Sequence, residues 1–164
     1  MPPSDSSPDH QSPVTNPSTR IAGIDYGTVR IGIAMADTAI GIASPFENYS
    51  RRTAALDAEY FQRLAKEEQI GRFVVGLPVH LSGSESQKST EARAFGEWLG
   101  GATGVLVEYF DERFTTSEAD ELLSSVKFTK KQRQARRDQL AAQIMLAAYL
   151  EAGGRGQDSP GGIE

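Results

Sequence analysis

Three aspartates occupy positions where a carboxylate needs a reason. Asp25 lies inside the apolar run 20–26, between Ile24 and Tyr26. Asp111 closes the run 105–110, and Asp138 comes just before the apolar stretch of Leu140, Ala141, Ile144, Met145 and Ala148. Carboxylate oxygens are the natural ligands of Mg²⁺. Two such ions about 4 Å apart can activate a water and stabilise the leaving oxygen of a phosphodiester. The chain has no cysteine, and its two histidines are His10 and His80. That excludes a thiol nucleophile, iron–sulfur clusters, cysteine zinc sites and a histidine-rich cage. An acid-only metal site is the economical hydrolytic option. Each acid also has a structural reading. Asp25 can cap the turn at Gly27, Asp111-Glu112-Arg113 can be a solvated loop with a local ion pair, and Asp138 can pair on the surface with Arg136 or Arg137. The three together are more specific than any one. The expectation is that they converge on one site, and that without metal at least one titrates high, Asp25 foremost.

A basic segment leads into the third acid. Residues 127–137 hold six bases, Lys127, Lys130, Lys131, Arg133, Arg136 and Arg137, and no acid. Fixed beside an acidic metal site, they are suited to hold phosphates, contacts that carry no base information. The alternative is a solvated helix end. The formal net charge is −5. The tails hold one base, Arg155, and four acids, Asp5, Asp9, Asp158 and Glu164, so the core is nearly balanced. No global positive field draws a polyanion in, which makes a local patch more necessary. His80 reads as a loop residue rather than a general base, and Phe73, Phe95 and Trp98 as core.

The elements that must position these residues follow from periodicity. Residues 1–19 contain five prolines and five serines, with Val14 the sole aliphatic residue after Met1. Such a segment cannot bury enough to offset its ordering entropy. It reads as a disordered extension, and residues 153–164 as a disordered tail, leaving a folded domain over 20–152. Strands are predicted at 20–26, 30–36 and about 40–49, the last with Pro45 suggesting an edge or a bulge. From Thr53 to Gln69 the period becomes helical, with Leu56, Tyr60, Phe61, Leu64 and Ala65 inward. Residues 73–77 form a wholly apolar strand stopped by Pro78, a pattern typical of a strand covered on both faces. After the loop 79–85 comes a helix at about 87–100, with Ala92, Phe95, Trp98 and Leu99 inward, then a strand at 105–110. Thr115 to Glu118 and Thr129 to Gln132 fit capping boxes. They open a helix ending near Ser125 and a long one reaching Ala152. Three leading strands followed by alternating helices and strands predict an α/β fold with a mixed sheet and helices on both faces.

Length and composition agree. The 164 residues are 38% hydrophobic and 24% charged, enough for one domain with a real core. No apolar run approaches the roughly 18 residues of a membrane helix. The N-terminus has no basic start and no apolar h-region, so no secretory signal is expected. A soluble cytoplasmic protein is the expectation, without membrane partners, as monomer or homodimer. Gly23-Ile24-Asp25-Tyr26-Gly27-Thr28 is also a phosphate-loop pattern of sugar kinases and chaperone ATPases. A core spanning 20–152 is too short to supply the second domain that closes those enzymes over nucleotide.

Four segments in order, residues 23–37 (GIDYGTVRIGIAMAD), 74–78 (VVGLP), 111–119 (DERFTTSEA) and 137–146 (RDQLAAQIML), resemble the YqgF family of RuvX-type proteins. The resemblance covers about 20–152. It implies a ribonuclease H-like fold of the RuvC type, built on a five-stranded mixed sheet. It also implies phosphodiester hydrolysis with Mg²⁺ (or Mn²⁺) and a role in trimming the 5′ end of precursor 16S rRNA during ribosome biogenesis. The family's acids fall on Asp25, on Asp111 (with Glu112 the other candidate) and on Asp138. Arg30, Arg113 and Thr115 match polar positions suited to touch phosphate or hold the acids. Arg30 and Arg113, with Lys130, Lys131, Arg133 and Arg137, make up the expected nucleic-acid contacts. Where the family often reads N-x-D-G-T after VVGLP, this chain has His80-Leu81-Ser82-Gly83-Ser84, so a role for that loop acid does not transfer to Ser82. Arg137 stands where a lysine or apolar residue often precedes the last acid, and the proline-rich N-terminus is outside the family pattern. Structured RNA such as precursor 16S rRNA is the first substrate reading. Branched DNA cut by a resolvase-like endonuclease is the second, and a non-catalytic nucleic-acid or ribosome-assembly factor the third.

Overall fold

A computed structural model describes residues 19–78, 86–112 and 130–153, with side chains described from Leu140 onward in the last stretch. The elements are β1 (Arg20–Asp25), β2 (Arg30–Asp37), β3 (Ala43–Ser50), α1 (Ala54–Glu67), β4 (Ile70–Leu77), α2 (Gln87–Thr103), β5 (Leu106–Asp111) and α3 (Lys130–Glu151). The expected helix between Thr115 and Ser125 lies outside the described residues.

The five strands form one mixed sheet in the order β3-β2-β1-β4-β5. The short turns from β1 to β2 and from β2 to β3 force antiparallel pairs, whereas α1 and α2 carry the chain back so that β4 and β5 run parallel to β1. Pro45 lies on an edge strand beside a bulge. Ile33 faces Glu47 and Ala34 faces Pro45, so Phe46 has no partner across the ladder. β4 begins at Ile70, three residues before the expected start, because pairing with β1 begins at Ile70 whereas the polar Arg72 delays the unbroken apolar run to Phe73.

Helices cover both faces. α1 and α2 pack on Ala22, Ile24, Ile31, Ile33, Phe73, Val75 and Leu77, through Phe61, Leu64, Ala92, Phe95 and Leu99. α3 packs on Ile21, Ala34, Val74 and Phe110, through Ala142, Met145, Leu146 and Tyr149. That second face is floored with small residues. A Cβ added at Gly23 would stand 3.0 Å from Leu146 Cβ and 3.4 Å from the Ala142 carbonyl, so the helix lies directly on β1. In α1 the inward set differs from expectation. Leu56 is 38% exposed while its neighbour Asp57 is wholly buried.

The direction of α3 follows from its contacts. Near its C-terminal end, the Tyr149 hydroxyl accepts from Arg72 at 2.7 Å and donates to Glu108 at 2.5 Å, both early in their strands. Further up the helix, Ala142 and Leu146 sit over Gly23, deeper along β1. The helix therefore runs against β1, β4 and β5, and its N-terminal turns lie toward the end of the sheet where those strands finish.

Candidate active site

A cleft of about 310 Å³ opens at that end of the sheet. β1 contributes Asp25, and the β1–β2 turn contributes Tyr26, Gly27, Thr28, Val29 and Arg30. β4 supplies Gly76 and Pro78 follows it. The first turns of α2 add Lys88, Glu91 and Ala92, and Glu112 closes the wall just past β5. Ligand sites of open α/β sheets form at the carboxyl ends of strands, and this one does.

Strand parity sets the face of each residue within a strand, since side chains alternate. Ile21, Val74 and Phe110 pack toward α3, so Asp25 and Gly76 belong to that face. Val107 and Tyr109 pack toward α1 and α2, so Asp111, the last residue of β5, belongs to the opposite face. Glu112 lies just past the strand and is placed by its contacts. The Glu112 side chain lies on Gly76. A Cβ at residue 76 would overlap its carboxylate, with Cδ 3.1 Å and Cγ 3.2 Å away. Glycine at this position makes the cradle in which the acid rests. Of the adjacent pair, Glu112 lines the cleft and Asp111 is not among the lining residues.

Burial pushes the Glu112 carboxyl above the ordinary glutamate range; the Lys88 ammonium pulls it partly back, and the charge of Asp111 adds to the rise. A carboxyl withdrawn from water next to a like charge gains from a bound cation. Asp25 and Glu112 are hard oxygen donors of the kind Mg²⁺ takes. Among the described residues no three acids, histidines or cysteines gather closely enough to hold a metal ion. The third expected acid, Asp138, lies on α3 four residues before Ala142, and its side chain is outside the described residues.

Of the expected phosphate contacts, Arg30 lines the cleft. Lys130, Lys131, Arg133 and Arg137 occupy the first turns of α3, with side chains outside the described residues. Arg113 and Thr115 also lie outside them. Lys88 ends the segment 79–88, an alternative place for substrate contacts, but neither it nor Glu91 is singled out by the sequence. The available signal was positional: a helix that follows a central parallel strand starts at the strand's carboxyl end, so its first turn faces whatever that end binds. Ser86 caps this helix, accepting from the Ser89 N–H at 3.1 Å, and thereby sets where Lys88 stands. No described helix is long and apolar enough to cross a membrane.

Comparison with known proteins places these features. The family model described as RuvX, Holliday junction resolvase, matches residues 19–152. A protein of Rhodopirellula baltica named "Putative pre-16S rRNA nuclease" is 48% identical over 133 residues, covering 81% of this chain and 77% of its own length. One of an Anaeromyxobacter species with the same name is 39% identical over 132 residues, covering 80% and 96%. Among solved structures, Thermus thermophilus RuvC in complex with a Holliday junction superposes with a TM-score of 0.53 at 13% identity, over 84% of this chain and 98% of that one. That likeness shows the fold, which is ribonuclease H-like. With a matched family model over nearly all of the described residues and relatives of this identity, the chain belongs to the RuvX family of nucleases.

Proposed function

We propose that the protein hydrolyses phosphodiester bonds of structured RNA in a divalent-metal-dependent reaction, and that its role is 5′-end maturation of precursor 16S rRNA in the cytoplasm. The observation that carries this reading is the meeting of Asp25 and Glu112 on one cleft where three parallel strands end. Asp25 and Glu112 are the two proposed ligands within the described cleft. Asp138 is the proposed third, since it continues the row Ala142, Met145, Tyr149 by one helical turn toward the strand ends. Asp111, on the other face, is proposed to act only through its charge on Glu112. Mg²⁺ or Mn²⁺ held by these acids would supply charge stabilisation for the attacked phosphate and a more acidic bound water.

The remaining work falls to cations of the chain. Arg30 and Lys88 stand on the cleft wall and are suited to hold the phosphates that flank the scissile one. Lys130, Lys131, Arg133 and Arg137 continue the positive charge along the start of α3, with Arg113 proposed to join them. Such contacts fix register without reading bases. The names carried by the relatives support RNA as the substrate. A second reading, branched DNA, has its own support in the RuvX description and the RuvC-like fold.

The test is a cleavage assay with and without Mg²⁺, comparing a precursor 16S rRNA transcript with a four-way DNA junction. Metal-dependent shortening of the RNA 5′ end, lost in Asp25→Asn, is the expected result. Junction cleavage with intact RNA would shift the assignment to the second reading. Neither substrate cut at any metal concentration would remove the enzyme reading.

A further inference from the structure

The cleft wall at Tyr26 is held from outside the cleft. Tyr26 packs its ring against Phe95 with centroids 5.0 Å apart. Its hydroxyl accepts from Nη1 of Arg51 at 3.0 Å. The Arg51 guanidinium stands 5.4 Å from the Tyr26 ring centre and 5.5 Å from that of Phe95, within cation–π range. The Arg51 backbone N–H donates to the Val29 carbonyl at 2.9 Å. One residue thus grips the β1–β2 turn near both ends, at Tyr26 and at Val29, and both line the cleft.

Arg51 is itself anchored. Its Nε donates to Asp57 Oδ2 at 3.4 Å. Asp57, with a side chain 1% exposed, also accepts from the Tyr49 hydroxyl at 2.6 Å and the Arg52 N–H at 2.9 Å. An arginine serving only to dock α1 needs no bond to Tyr26. An arginine serving only the cleft wall needs no buried acid behind it. Arg51 joins the two, so the start of α1 and the turn beside Asp25 are tied through one side chain.

We propose that Arg51 is a positioning residue which, held by Asp57, fixes Tyr26 and the turn 26–30 and so the placement of Asp25 in the cleft. The activity part of this inference rests on the nuclease reading; the structural part rests on the turn alone. Lysine is a poor substitute, because a single ammonium cannot bridge Asp57 and Tyr26 while lying over two rings.

The experiment compares wild type, Arg51→Lys, Arg51→Met, Tyr26→Phe and the Arg51→Met/Tyr26→Phe double variant. Two readouts are taken on the full chain: Mg²⁺-dependent cleavage of a precursor 16S rRNA transcript, and amide hydrogen exchange. Both Arg51 variants should lower kcat about tenfold with KM within about twofold, the signature of a misplaced group rather than a lost contact. Tyr26→Phe should lose less, and the double variant no more than Arg51→Met alone. Exchange at residues 26–30 should quicken about tenfold while β4 and α2 stay protected. Wild-type kcat in Arg51→Lys, multiplicative losses in the double variant, or unchanged exchange in the turn would each overturn the proposal. If the wild-type chain cuts no RNA, the nuclease reading falls and exchange decides alone. If Arg51→Met does not fold, Arg51→Lys and Tyr26→Phe carry both readouts.

Discussion

Asp57 and Glu112 are both drawn away from water, and their surroundings move them in opposite directions. For Asp57, burial by itself favours the neutral form. The bonds it accepts from Tyr49, from the Arg52 backbone and from Arg51 outweigh this and hold it below the ordinary aspartate range. For Glu112, burial again favours the neutral form, Lys88 opposes it only in part, and Asp111 adds to it. Burial favours the neutral form in both places, and the partners decide the sign. At Asp57 the negative charge is used up in holding α1 to β3 and to the turn. At Glu112 the carboxyl stands on a cleft that also contains Asp25. A carboxyl whose neutral form is favoured by burial is one that a cation can draw back to the charged form.

The contrast is sharpest in activity. Asp25→Asn and Glu112→Gln should each reduce metal-dependent cleavage by about a hundredfold or more, the rate equivalent of several kcal/mol of lost metal-borne stabilisation. Asp111→Asn, altered on the opposite face, should lose less than about tenfold. Steady-state rates at saturating Mg²⁺ rank the three. A larger loss at Asp111 than at Glu112 would break the parity argument.

Next in size is the cost of emptying the Asp57 cluster. Asp57→Asn should destabilise the fold by about 3 kcal/mol at neutral pH, since it leaves Arg51 beside an uncharged group in a buried setting. Because Asp57 titrates low, its contribution is present above the ordinary aspartate range and is lost as pH falls through its lowered value. Denaturant unfolding at several pH values should therefore show the two chains drawing together in acid.

Glu112 should show the reverse slope at smaller amplitude. Its raised value means that the folded chain holds the proton more tightly than the unfolded one. Stability then falls as pH rises from the ordinary glutamate range through the raised value. Without divalent metal, the difference in melting temperature between Glu112→Gln and wild type should move in the variant's favour as pH rises from the ordinary glutamate range to pH 8. A difference that does not change with pH would break this reading.

The smallest effect serves as a control. The Tyr149 hydroxyl, pushed up to about 12 by burial and by Glu108, links Arg72 to Glu108 at the far end of the sheet. Tyr149→Phe should cost ~1 kcal/mol, with cleavage unchanged. Thermal melts and the RNA assay check both halves of that statement.

Much of the frame was legible in the chain. The apolar runs at 21–24, 31–36 and 73–77 became three adjacent strands, and Asp25 stood out because a carboxylate interrupts the first. Which of Asp111 and Glu112 lines the cleft was not legible, for a physical reason. β5 is covered on both faces, by Tyr109 on one and Phe110 on the other. Its apolar pattern therefore carries no alternation from which to count. The Asp57 cluster escaped for a related reason. Helical periodicity favoured Leu56 as the inward residue, and only the arrival of Tyr49, Arg51 and Arg52 from β3 and the segment after it makes Asp57 the better one to bury. Lys88 and Glu91 depend likewise on where α2 begins relative to a sheet formed by distant segments.

The bulge in β3 has a consequence for how the molecule behaves among its own copies. An edge strand offers its outer row of amide and carbonyl groups as a template for another chain, and a flat one invites stacking into insoluble sheets. Pro45 removes an amide from β3, and the extra residue at Phe46 twists the strand out of step. Among the described residues β3 is the outer strand, and that edge is thereby poorly suited to growth by strand addition, although Ile40, Ile42 and Phe46 leave apolar surface nearby. Concentrated solutions should stay clear for as long as that kink persists, and straightening it with Pro45→Val should make turbidity on gentle heating appear sooner.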